Sequence, residues 1–250
     1  MNINLFNMSD DRCLFCVSAR SFVKTTLHVD LYLLMFAIPQ WMLLALFATK
    51  DHLLHTLICF IGSLILLSAI QKSSALKYNW PWNWLAIGCC YELVTLGLGT
   101  LLMYTDFQQT MILVAVALLI CGFVLALCFF IVNGYHFLNP YGLAGLAILG
   151  FIQVTVIMAV STVFYWQLWT DLAMLVLLIS ALTMMVSLVL ISFHNHEVLI
   201  RDDALLVAFV LYVNYVLVLM ACFICYQRVD NSFASRSKSG RKAAVVSPSA

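Results

Sequence analysis

Few residues in this chain have types and spacing suited to chemistry, and most of those sit where hydrocarbon is expected. Glu92 stands near the centre of an apolar run at 83–104. A carboxyl at mid-membrane depth is costly, so Glu92 is expected to face a bundle interior or a water cavity and to mark an ion or proton path. No Lys or Arg lies inside any apolar run to pair with it. The other reading is a carboxyl that only hydrogen-bonds to a neighbouring helix.

Asn195 and Asn214 come next, at facing ends of a hairpin over 190–221. Amides bond across helices and offer a carbonyl oxygen to a cation, but they do not titrate. Either one alone reads as a helix contact; as a pair they read as a site. Around Asn195 stand His194, His196 and Glu197, which invite a pH-sensor or metal reading because His changes charge near neutral pH. Residues two apart do not share a helix face, so a compact metal site would need the helix to end there. Solvated side chains at the membrane boundary are the alternative, and Arg201, Asp202 and Asp203 read as a mutually neutralising cap on the next helix. The CxxC pairs Cys13/Cys16 and Cys222/Cys225 lack a nearby His and a strand-and-helix setting, so neither points to zinc or redox work. A Gly-rich phosphate loop, a Ser/His/Asp arrangement and HExxH are all missing from the sequence. The expectation is no enzyme, no resident metal or cofactor and no nucleic-acid partner.

The elements that must carry these residues follow from composition. With 64% hydrophobic and 9% charged residues in 250, an ordinary globular surface is excluded, and the solvent of this chain is lipid. A bilayer core about 30 Å thick takes about 20 apolar residues per helix. Seven such runs occur, among them 29–49, 53–70, 83–104, 111–132, 172–193 and 204–226. The fold class is an all-α membrane protein, a seven-transmembrane helical bundle. Cys59, Cys89, Cys90, Cys121 and Cys128 fall inside apolar runs as small hydrophobes, so no disulfide framework is implied.

Pro39 predicts a kink in the first run, and Pro81 a start for the third. Trp80, Trp82 and Trp84 mark headgroup depth, as does FYWQLWTD before the sixth run. Gly142, Gly145 and Gly150 are expected to admit a close neighbour to the fifth run. Residues 1–27 read as a cytosolic N-terminal arm without a cleavable signal, 28–226 as the membrane domain and 227–250 as a disordered basic tail. Basic residues tie between the two faces: Arg12, Arg20, Lys24, Lys72, Lys77 and Arg201 against Lys50, Arg228, Arg236, Lys238, Arg241 and Lys242. The loops and the first helix favour a cytosolic N-terminus. The basic tail favours the cytosol too, which makes a re-entrant seventh run, with Asn214 at its centre, the alternative to a spanning one.

The order of features resembles the Bax-inhibitor/lifeguard family, the transmembrane Bax-inhibitor-motif proteins. ARSFVKTT resembles the family's RxFxRKVY lead into the first helix. NWPWNWLAIGCCYELVTLGLGTLLMY resembles its third helix, with Glu92 at the family's glutamate, and FIVNGYHFLNPYGLAGLAIL follows its central QTKxDFTxxGGLLxxL. LISFHNHEVLIRDDALLVAFVLYVNYVLVLM resembles the FxxYDTQLI and LYxDIIN signature, and the whole resemblance runs from Ala19 to Phe223. It implies calcium homeostasis of calcium-leak-channel type and negative regulation of apoptosis, in endoplasmic reticulum, Golgi or another endomembrane. The implied partners are the lipid bilayer, calcium ions in passage and membrane proteins of cell-death control. The family's aspartate pair, held responsible for pH-dependent opening, aligns with Asn195 and Asn214, and the second run offers no arginine as a latch. Glu92, His194 and His196 are then the remaining titratable candidates. A non-conducting scaffold that regulates partners through helix contacts is the second reading.

Overall fold

The computed structural model describes residues 8–47, 53–73, 76, 79, 81–103, 105–134, 139–164, 167–194 and 203–245. They form α1 (Met8–Phe47), α2 (Leu53–Lys72), α3 (Trp82–Leu102), α4 (Phe107–Gly134), α5 (Pro140–Phe164), α6 (Gln167–His194) and α7 (Asp203–Val245), with no strand among the described residues. All seven contain a stretch long and apolar enough to cross a bilayer. The protein is an integral, multi-pass, all-α membrane protein. Hydrocarbon offers nothing to bond to a peptide group, so each crossing satisfies its own backbone as a helix.

Short polar punctuation sets the helix ends. Pro81 occupies the N-cap of α3, where its missing N–H costs least. Before α4, Gln109 Oε1 accepts the Asp106 N–H at 3.3 Å, half of a capping box. Asn139 Oδ1 accepts the Tyr141 N–H at 3.1 Å across Pro140, so LNPYG ends one connection and starts α5.

The bundle is built around α7. In the most apolar 18 residues of its span, Ala204–Val229, 61% are buried, against 17% of the corresponding stretches of α2 and α5. It touches α1, α3, α4 and α6, while α2 leans on α3 and α5 on α6. Leu57, Ile58, Leu64 and Ile65 of α2 and Leu146, Leu149, Ile152 and Val156 of α5 are exposed. In water these faces would aggregate; in a bilayer they are the surface solvated by lipid. Towards α7, α1 turns Val23, Thr26, Asp30, Leu34, Ala37 and Trp41, all buried and spaced by three or four residues.

Of the three glycines expected to admit a close neighbour, one does. A Cβ on Gly150 would lie 1.9 Å from Ser180 Oγ and 3.1 Å from its Cβ, so α5 and α6 touch here through a glycine. Gly142 would meet only Asn139 at 3.8 Å, and Gly145 has open space within 4 Å. Gly150→Ala is expected to lower stability by about 1–3 kcal/mol through overpacking. Adding Ser180→Gly should return most of that loss in an SDS titration of the purified protein.

Two helices run past the expected segment boundaries. The N-terminal arm is not separate from the first crossing: α1 runs unbroken from Met8 through Pro39, and its span begins at Ser21 rather than 28. Pro39 lies inside α1 on an exposed face. The residues from Gln227, expected to be disordered, continue α7 as far as Val245. The first proline after Gln227 is Pro248, and Ala, Arg and Lys tolerate helix well. The alternative of a re-entrant seventh run fails because α7 has no break; Asn214 is accommodated without one.

Arg228, at the end of the α7 span, donates to the Asp171 carboxylate at the start of the α6 span, so these two ends lie on one face of the bundle. Both side chains are partly exposed. Asp171→Ala is therefore expected to change stability by less than about 1 kcal/mol, as screened surface pairs do; the same SDS titration checks it.

Candidate functional site

The centre of the bundle is a knot of aromatic rings and hydroxyls between α1, α3 and α7. Trp41 is fully buried. Its ring stacks on Tyr212 at 6.5 Å and on Tyr215 at 6.2 Å. Its Nε1–H donates to the Thr95 carbonyl at 2.9 Å. Thr95 Oγ1 donates back to the Tyr91 carbonyl at 2.7 Å, which leaves Tyr212 Oη to donate to Thr95 Oγ1 at 2.6 Å. Tyr91 Oη reaches the Leu33 carbonyl of α1 at 2.8 Å, and Tyr215 Oη reaches Val114 of α4 at 3.3 Å. Each aromatic carries a polar tip that hydrocarbon could not satisfy, and each tip ends on the second lone pair of another helix's carbonyl or on a hydroxyl. These bonds fix how α1, α3, α4 and α7 sit against one another.

Beside this knot lies the interior carboxyl, Asp30. It is 7% exposed, and Thr26, one turn earlier on the same seam, is 2% exposed. Asp30 Oδ1 and Thr26 Oγ1 are buried and have no hydrogen-bond partner. The carboxyl is close enough to act electrostatically on Cys121 of α4 and Tyr215 of α7, both buried. An unpaired acid in the interior is expensive and persists where something other than packing requires it. Sequence reasoning passed over Asp30 because it stands near the start of the first apolar run, where a polar residue reads as boundary. The available signal was register: positions 23, 26, 30, 34, 37 and 41 form one stripe, and Asp30 is in it.

Of the expected site residues, Glu92 and Asn214 are described with their side chains. Glu92 is exposed on α3 and accepts from Gln40 Nε2 of α1 at 3.4 Å. The buried stripe of α3 runs through Ala86, Ile87, Cys90, Tyr91, Val94, Thr95 and Leu98, and Glu92 falls outside it. Asn214 is buried in α7, and its Nδ2 donates to the Val210 carbonyl of its own helix at 2.8 Å. Ten residues separate it from Ala204, where the α7 span starts, a depth of about 15 Å. Asn195, His196 and Glu197 lie outside the described residues, and His194 is described only as the last residue of α6. Cys222 and Cys225 are free thiols. Among the described residues no three His, Cys, Asp or Glu side chains converge as a metal site.

No family model, curated protein or solved structure matches this chain. The site brings together one buried carboxyl and one buried hydroxyl on α1, an aromatic wall on α7 and a thiol on α4. Oxygen ligands of this kind suit a proton or a hard cation. There is neither a base–nucleophile pair nor a cradle for a phosphate in this group.

Proposed function

We propose that this protein is an endomembrane ion-leak protein of lifeguard type that passes calcium and, through organelle calcium, restrains cell death. The observation that carries the reading is Asp30: a carboxyl on the interior face of α1, with Oδ1 buried and unpartnered. An ionisable group held inside a membrane bundle is by default part of an ion or proton path. In this reading Asp30 supplies the interior charge that Asn195 and Asn214 do not, and Thr26 adds a second oxygen one turn away. A single carboxylate binds Ca²⁺ weakly, since full coordination takes about 6–8 oxygens. Weak binding is what a leak needs, because the ion must also leave. The resemblance in residue order from Ala19 to Phe223 supports calcium as the permeant ion and cell-death control as the context.

A second reading, a non-conducting scaffold that regulates membrane partners, is favoured by the closed stacking of Trp41, Tyr212 and Tyr215 across the bundle centre. Reconstitution into calcium-loaded vesicles separates the two. A leak above that of protein-free vesicles is expected if the path conducts. No leak at any pH would remove the channel reading and leave the scaffold.

A further inference from the structure

Glu92 lies ten residues from Trp82 and ten from Leu102, the two ends of α3. That places it about 15 Å from either end, in the middle of the hydrocarbon. Among the described residues its hydrogen-bond partner is Gln40, at a long 3.4 Å, and Gln40 Oε1 is itself buried without a partner. Lipid chains offer no donor, so an outward carboxyl at this depth is unsatisfied by anything in the bundle except one weak contact.

The surface around Glu92 is a continuous exposed stripe. Leu85, Gly88, Cys89 and Leu96 continue its exposed stripe on α3. Gly88 has no atom within 4 Å of where a Cβ would stand, so another backbone can approach closely there. We infer that this outer face of α3 docks a transmembrane helix of another protein bearing a lysine or arginine at mid-membrane. Charge selects that occupant. A cation gives the carboxylate a charge-assisted bond where water cannot compete. A second copy of this chain cannot supply it, because the described spans carry only Lys24, Lys72 and Arg228, all near span ends, and symmetry would bring carboxylate to carboxylate.

The test uses the full-length chain, labelled with a donor fluorophore in lipid nanodiscs, and acceptor-labelled poly-leucine transmembrane peptides with either lysine or leucine at the centre. The lysine peptide is expected to associate at least about tenfold more tightly than the leucine peptide, a difference of about 1.4 kcal/mol. Glu92→Gln should abolish the preference, and its exposed position leaves the bundle intact. Gly88→Leu fills open space and should weaken both peptides by blocking close approach. Equal binding of the two peptides, or an unchanged preference in Glu92→Gln, overturns the inference. Energy transfer between two labelled copies that disappears in Glu92→Gln also overturns it, in favour of self-association.

Discussion

Trp41→Ala is expected to destabilise the bundle by about 3 kcal/mol, at the low end of the ~3–5 kcal/mol seen for large aromatics in soluble cores. The reason for the low end is the solvent. In a bilayer the residue leaves no water behind when it packs, so the transfer part of the usual cost shrinks and the cavity and contact parts remain. Those parts are large here: the indole is fully buried, stacks on both Tyr212 and Tyr215, and bonds to the Thr95 carbonyl. Trp41→Phe keeps most of the ring and loses the N–H donor, so about 1 kcal/mol is expected. Unfolding by SDS, followed by tyrosine and tryptophan fluorescence, reads both. Equal losses in the two variants would mean that the ring's size contributes nothing, contrary to its position between α1, α3 and α7.

Asp30→Asn is expected to cut calcium flux from loaded vesicles by at least about tenfold, equivalent to roughly 1.4 kcal/mol on the barrier. Asparagine keeps the size and removes the charge that would attract a cation to the interior of α1. The same substitution should leave resistance to SDS unchanged or raised, because a buried acid without a partner contributes desolvation cost and no compensating bond. Flux and stability thus move in opposite senses, which a residue serving only packing would not do. A variant with normal flux would remove Asp30 from the path. A variant that loses flux together with stability would make the effect structural.

The sequence alone carried the lipid solvent, the seven crossings and the helix start at Pro81, because each follows from composition or from a local backbone rule. It also identified Glu92 and Asn214 as costly residues at membrane depth. Which way they turn was decided only by tertiary structure. Facing depends on which neighbour covers a stripe, and in a chain apolar on every side no moment separates interior from lipid face. Glu92 is exposed beside Gln40, and Asn214 is buried with its Nδ2 on the Val210 carbonyl. For the same reason Asp30 escaped notice although its register with Trp41 was legible. Helix contacts give it a buried seam, and burial turns a boundary acid into the one interior carboxyl described.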